Sequence, residues 1–170
     1  MRIAALLLGL LAGSAMAQTP IPPQKPVLLV TEIGEVAAAK DKAQVLVAGT
    51  VTPKQITCIV QIKDKSMMGG TFEVDPNDIP QLSKLLEDAS DKLLAGQTFS
   101  GKAGKTSVTV VESEGQKGVV VKFESERISF SSNSLALDAD NTAGLARILS
   151  RAKQVSDWLA PKLTALQPKQ

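Results

Sequence analysis

The chain has 170 residues, with 19 Lys and Arg against 17 Asp and Glu, one Cys, no His and 3% aromatic residues. Near-balanced charge excludes a strong single-sign field and disfavours nucleic acid as a partner, because phosphate tracking needs Lys and Arg in excess on one face. Without His there is no usual general base, no Ser-His or Cys-His nucleophile pair and no imidazole metal site, and a single Cys allows neither a thiolate zinc site nor an intramolecular disulfide.

Residues 1–17 read as an export signal: Arg2 as a basic start, an apolar run from Ile3 to Leu11, and Ala15-Met16-Ala17 as a small-x-small cleavage site. Cleavage is expected between Ala17 and Gln18. The apolar run is about half the roughly 20 residues that a spanning helix needs, and no later charge-free segment approaches that length. The mature chain is therefore expected to lack a transmembrane segment and to work in the periplasm or outside the cell. With Gln18 after the cut, no cysteine is available for a lipid anchor. Loss of Arg2 leaves 18 basic and 17 acidic residues, a net charge of +1. The remaining length suits one domain.

Residues 18–26 contain Pro20, Pro22, Pro23 and Pro26 and read as an extended, polyproline-like spacer. Short runs rich in Val, Ile, Thr and Phe then alternate with Gly, Pro, Asp, Asn and Lys. They predict strands at Val27 to Ile33, Gln44 to Ala48, Gln55 to Lys63, Thr71 to Val74, Gln97 to Gly101, Ser107 to Glu112, Gly118 to Glu124, and Arg127 to Leu137 with a break near Asn133. Val119, Val121 and Phe123 alternate with Val120, Lys122 and Glu124, the pattern of a sheet with one buried face. Ile56, Cys58, Val60 and Ile62 share a strand face in the same way, which makes Cys58 a core thiol.

Helical periodicity appears twice. Pro80 to Leu94 carries Leu82, Leu85, Leu86, Ala89 and Leu93 on one stripe. Ala143 to Leu159 carries Leu145, Ile148, Leu149, Ala152, Val155, Trp158 and Leu159, with Pro161 expected to end the helix and residues 162–170 to form a tail. Glu35 to Ala43, rich in Ala and Lys, fits either a short helix or a loop.

An internal repeat with an offset of 63 residues organises the chain. Phe72 to Asp78 aligns with Leu135 to Asn141, and Leu82, Leu85, Leu86 and Ala89 align with Leu145, Ile148, Leu149 and Ala152. Without a gap, Ile56, Cys58 and Val60 fall on Val119, Val121 and Phe123, and Val45 and Val47 on Val108 and Val110; only the first strand of each half needs a shift of a few positions. The expected fold is α+β: a tandem ββββα repeat, each half an antiparallel four-stranded meander followed by an amphipathic helix, in a pseudo-twofold single domain over residues 27–161. The repeats run over about 27–95 and 96–161. One meander with one helix buries too little surface alone, so the two copies are expected to share a core.

This order of elements is similar to that of the Whirly and PUR-type single-strand nucleic-acid binders. The resemblance implies a polyanion-binding alternative, which would need basic and aromatic sheet surfaces. The chain offers only Phe72, Phe99, Phe123, Phe130 and Trp158, most at core-facing positions, so that activity is not carried over.

Other motifs have plain structural readings. Asp75-Pro76-Asn77-Asp78 and Asp138-Ala139-Asp140-Asn141 precede helices and lack the ligand spacing of a calcium loop, so they read as helix caps. Gly96 to Ala103 approaches a phosphate-binding loop but ends in Ala103 and leads into a strand, so it reads as strand and hairpin turn, with Gly101 and Gly104 as turn residues. Ser150-Arg151-Ala152-Lys153 and Lys105-Thr106-Ser107 resemble pieces of serine acyl-transfer motifs, in the wrong order and without the third element. Met67-Met68 reads as a hairpin loop, not a Cu(I) site. No catalytic, cofactor-binding or metal residue is assigned, and no cofactor is expected. Three functions follow in order of preference: a non-enzymatic exported binding or structural module, with a protein partner or self-association through β edges; a nucleic-acid or polyanion binder; and a small hydrolase using carboxylates alone.

The export reading predicts that the protein recovered from the exported fraction begins at Gln18. Intact-mass measurement checks this, and Ala17→Arg should leave the precursor uncut.

Overall fold

The structure is a computed structural model and describes residues 27–39, 41–52, 54–67, 69–113, 115–124 and 133–166. The export signal, its cleavage site at Ala17 and Gln18, the Pro-rich spacer and Phe130 lie outside the described residues. Eight strands and two helices follow in the order β1 (Val27–Ala38), β2 (Asp41–Val51), β3 (Ile56–Asp64), β4 (Thr71–Val74), α1 (Ile79–Leu94), β5 (Ser100–Ala103), β6 (Thr106–Ser113), β7 (Gln116–Phe123), β8 (Ser134–Leu137) and α2 (Ala139–Ala165). The strands form two antiparallel four-stranded sheets, β1-β2-β3-β4 and β5-β6-β7-β8, each a simple meander. The fold is α+β.

Each sheet has one apolar face, and the helix that covers it comes from the other half. α2 lies against β1, β2 and β3, while α1 lies against β5, β6 and β7. The two helices also pack on each other, running antiparallel: Ser83 Oγ donates to the Ala146 carbonyl at 3.3 Å, and Ser90 Oγ to the Ala139 carbonyl at 2.9 Å. The stripes read from the sequence supply this packing, since Leu82, Leu86, Leu145 and Leu149 are fully buried, each contributing about 1.5–3 kcal/mol. Phe72 of the first sheet stacks on Phe123 of the second, with centroids 4.2 Å apart and rings 6° from parallel. Buried residues of both sheets and both helices form a single contact cluster.

The exchange brings each helix close to its sheet at a glycine. A Cβ at Gly34 would lie 3.2 Å from Ile148 Cδ1 of α2, and a Cβ at Gly101 would lie 2.5 Å from Leu85 Cδ2 of α1. Gly101 is thus a strand residue beneath a helix and not the turn residue expected. Gly104, at φ 53°, does make the turn between β5 and β6.

Several boundaries differ from expectation. Glu35 to Ala38 and Asp41 to Ala43 are strand and not helix: Glu35, Val36, Ala37 and Ala38 pair with Gln44, Ala43, Lys42 and Asp41 in the β1–β2 hairpin, with Ala39 in the turn. Weak propensities of Ala and Lys, within a scale of about 1 kcal/mol, yield to burial of Val36, Ala43 and Val45. α2 begins at Ala139 and continues through Pro161 to Ala165, into the expected tail. Pro161 has no N–H for the Asp157 carbonyl, a penalty of about 3 kcal/mol. It is offset because Leu159 and Leu163, on either side of it, are buried over Gly49. Trp158, placed on the buried stripe by its spacing, is 62% exposed, with Lys162 Nζ 4.4 Å from its ring centroid. Thr142, Ala146 and Ser156 are buried on α2 beside Leu145, Leu149, Ala152, Leu159 and Leu163, so the buried face includes small residues that the stripe read from the sequence left out.

Strand pairing also corrects the repeat. Val47 pairs with Val60, whereas Val110, 63 residues beyond Val47, pairs with Val119, only 59 beyond Val60. The offset of 63 returns in β4 and β8, where Val60 pairs with Val74 and Val119 with Leu137. β7 has slid four positions, because Ser113 and Gln116 are joined by a two-residue turn ending at Gly115 (φ 78°), against the four residues between Val51 and Ile56. A slide by an even number keeps every side chain on its face. The ungapped match of Val60 to Phe123 therefore had the right face and the wrong partner.

Helix exchange predicts energetic coupling between the halves. Gly101→Ala should destabilise the protein by about 1–3 kcal/mol through overpacking, and Leu85→Ala in the same chain should recover part of that loss. A double-mutant cycle by chemical denaturation should give a coupling of roughly 0.5–3 kcal/mol.

Candidate functional site

The motifs singled out in the sequence resolve into structural parts where they fall among the described residues. The two acidic clusters differ. Asp138 is a true N-cap, in extended conformation, whose carboxylate accepts from the Asn141 backbone N–H at 2.7 Å. Asp78 makes no side-chain cap bond at the start of α1, where Pro80 stands at the first turn. There Asp75 Oδ1 instead accepts from the Asn77 N–H at 2.8 Å, forming the turn that leads into the helix. Repeated capping therefore holds for the second cluster only. Among the described residues no group of three His, Cys, Asp or Glu side chains could hold a metal ion.

Cys58 is half-buried against α2, its Sγ 3.3 Å from the Ser156 hydroxyl. Ser150 Oγ donates to the Ala146 carbonyl at 3.1 Å and to Ser83 Oγ at 3.3 Å, while Lys153 Nζ bonds Asp157 at 2.6 Å. Each partner of the suspected serine–lysine pair thus has a helical role. Gly96 closes α1: its N–H donates to the Leu93 carbonyl and that of Gln97 to the Lys92 carbonyl, the double bond of a left-handed helix end. That glycine is part of a helix stop and not of a phosphate cradle. Met67 is fully exposed in the β3–β4 connection.

Four surface lysines, Lys42, Lys102, Lys117 and Lys153, form ion pairs with carboxylates. Lys102 Nζ lies 2.6 Å from Glu124 Oε1, and its hydrogen bond and charge hold the Glu124 carboxyl below the usual range. The Glu35 carboxylate, 2.6 Å from Lys42 Nζ, raises that ammonium above its ordinary value by hydrogen bond and charge. A carboxyl shifted down is the opposite of what a general acid needs.

What stands out is apolar. Leu28, Leu29 and Val30 at the start of β1 are 64%, 39% and 55% exposed. Leu28 and Val30 point away from the helices, because their ladder partners Thr50 and Ala48 alternate with buried Val47, Gly49 and Val51. Half-buried Leu46 and Ile59 and buried Ala48 continue this outer face of the first sheet, beside Glu32, Thr50 and Thr57. The corresponding face of the second sheet carries Lys102, Ser107, Thr109 and Lys122 together with Val111 and Val120. The continuous run Val27 to Val30 would ordinarily signal a strand buried on both sides. Here it forms a sheet edge, and only its lack of polar alternation could have marked it.

No family model matches the chain, and no curated protein matches it. Among solved structures, SsgB of Streptomyces coelicolor, described with mutations that correlate to longitudinal cell division during sporulation, aligns with 81% of this chain and 93% of its own at 13% identity. The TM-score is 0.31, a likeness that carries no argument about fold or activity.

The contrast between the two clusters predicts that Asp138→Ala costs about 0.5–2 kcal/mol of stability, as loss of a cap does. Asp78→Ala should cost less, as measured by thermal unfolding of the two variants.

Proposed function

We propose that the protein is an exported, non-enzymatic binding or structural module of the periplasm or cell exterior, acting through protein contacts. In this reading the two ββββα halves form one domain related by a pseudo-twofold. Two features support the symmetry. Ser83 of α1 meets Ala146, its counterpart 63 residues on. Gly34 under Ile148 also mirrors Gly101 under Leu85, and Ile148 again lies 63 residues beyond Leu85.

The observation that carries the functional reading is the apolar edge and outer face around Leu28 and Val30, exposed where a lone soluble domain would place charge. The polyanion alternative has less support: Phe72 and Phe123 are buried in each other's stack, and Lys42, Lys102, Lys117 and Lys153 all face carboxylates. No helix among the described residues is long and apolar enough to cross a membrane.

Native mass spectrometry of the protein purified from its host's exported fraction tests the reading. A retained protein chain, identical or different, is the expected result. A retained small-molecule cofactor together with turnover would overturn it, and low-salt retention on single-stranded DNA would replace it with the polyanion reading.

A further inference from the structure

The outward side of α2 is basic. After its first turn the helix carries Arg147, Arg151, Lys153 and Lys162 against a single carboxylate, Asp157, and Lys153 Nζ holds that carboxylate at 2.6 Å. Arg147, Arg151, Gln154, Trp158 and Lys162 follow one another at spacings of three and four and are all exposed, so they form one stripe turned away from the buried one. Among the described residues, none of Arg147, Arg151 and Lys162 pairs with a carboxylate. Trp158 is 62% exposed within this stripe, and Lys162 Nζ lies over its ring at 4.4 Å from the centroid. Trp and Arg are the side chains that most often carry binding energy at protein interfaces.

We propose that this stripe binds an extended acidic segment of a partner protein, which lies along α2 with carboxylates on Arg147, Arg151 and Lys162 and an apolar side chain against Trp158. This rests on the reading of the protein as a binding or structural module and names the chemistry of its partner. Charge complementarity selects an anion, and the shape of the stripe selects which kind. From Arg147 to Lys162 it runs about 22 Å at the helical rise, the reach of about seven residues of extended chain. Arg147 and Arg151 stand one turn apart, about 6 Å along the axis, and alternate side chains of an extended chain repeat at about 6–7 Å on one side. α1, packed alongside, exposes Glu87 and Asp91, so the basic surface is one helix wide. An anionic bilayer broad enough to cover α2 also meets those carboxylates, whereas a single extended chain does not. Single-stranded nucleic acid is held by successive aromatic platforms, and the stripe has one.

Trp158 is the only tryptophan of the chain, so its emission reports directly on the stripe. The test is titration of the protein from the exported fraction with a peptide that alternates Glu and Ser around one Leu. A saturable change in Trp158 emission is expected, weakening as salt is added. The double variant R147E/R151E should raise the dissociation constant at least about tenfold. It should bind instead the matching peptide with Lys in place of Glu, which separates a lost contact from a damaged fold. Trp158→Ala, followed by anisotropy of a dye on the peptide, should raise the dissociation constant about threefold to tenfold. Lys122→Glu, on the outer face of the second sheet, should leave it unchanged. No emission change at low salt, or an affinity indifferent to R147E/R151E, would overturn the proposal. Tighter binding to phosphatidylglycerol vesicles or single-stranded DNA, lost in R147E/R151E, would overturn it as well. If the peptide fails while native mass spectrometry still finds a retained protein chain, this inference ends and the module reading stands. Turnover with a retained cofactor would end the module reading whatever the peptide does.

Discussion

Each four-stranded meander here has an apolar face that the helix following it does not cover, and the rest of the structure depends on that exchange. α1 leaves the first sheet through the turn at Asp75 and lies on the second, while α2 returns to the first. Neither half can then bury its core residues alone. Leu82 and Leu86 lie on the helix that covers the second sheet, and Leu145 and Leu149 on the helix that covers the first. The antiparallel helix contact at Ser83 and Ala146, and the Phe72–Phe123 stack between sheets, tie both arrangements together. The apolar surface buried this way is what a single meander of this size lacks.

With both helices committed to the inner faces, the outer faces are left to water or to other molecules. The second sheet meets water mainly with Lys, Ser and Thr, with Val111 and Val120 among them. The first carries polar residues too, Glu32, Thr50, Thr57 and Lys63, but near the start of its edge strand Leu28, Leu29 and Val30 are exposed, with half-buried Ile59 on the same outer face as Leu28 and Val30. Among the described residues no three His, Cys, Asp or Glu side chains gather into a metal site. The exposed aliphatic side chains Leu28, Leu29 and Val30 lie on a long edge strand, and hydrophobic area beside an open backbone edge favours association.

Much of the fold was legible because burial leaves a period in the sequence. The alternation of Val119, Val121 and Phe123 and the spacing of Leu82, Leu86, Leu145 and Leu149 each reported a real inward face. Where local preference and tertiary packing conflicted, packing prevailed. The Ala- and Lys-rich stretch from Glu35 became a hairpin because β2 offered it a ladder, and Pro161 stayed inside α2 because Leu163 lies beyond it in the core. Trp158 shows the converse: its spacing matched the stripe, but Ser156 and Leu159 are the buried residues around it and the indole is exposed. The surface edge was the least legible part, because an apolar run gives the same signal whether it is buried at the centre of a sheet or left bare at its margin.

Residue periodicity by itself determined the number and kind of elements, the inward face of most strands and the doubling of the ββββα unit, since each reflects contacts within one strand or one helical stripe. Only the tertiary structure decided which helix covers which sheet, where β7 slides by four residues against its counterpart, and which edge is left open. Those outcomes depend on distances between segments far apart in the chain. The physical reason is parity and symmetry: a four-residue slide preserves every buried face, and an amphipathic helix presents the same stripe to either sheet, so one sequence pattern is compatible with several pairings and only packing at positions such as Gly34 and Gly101 selects among them.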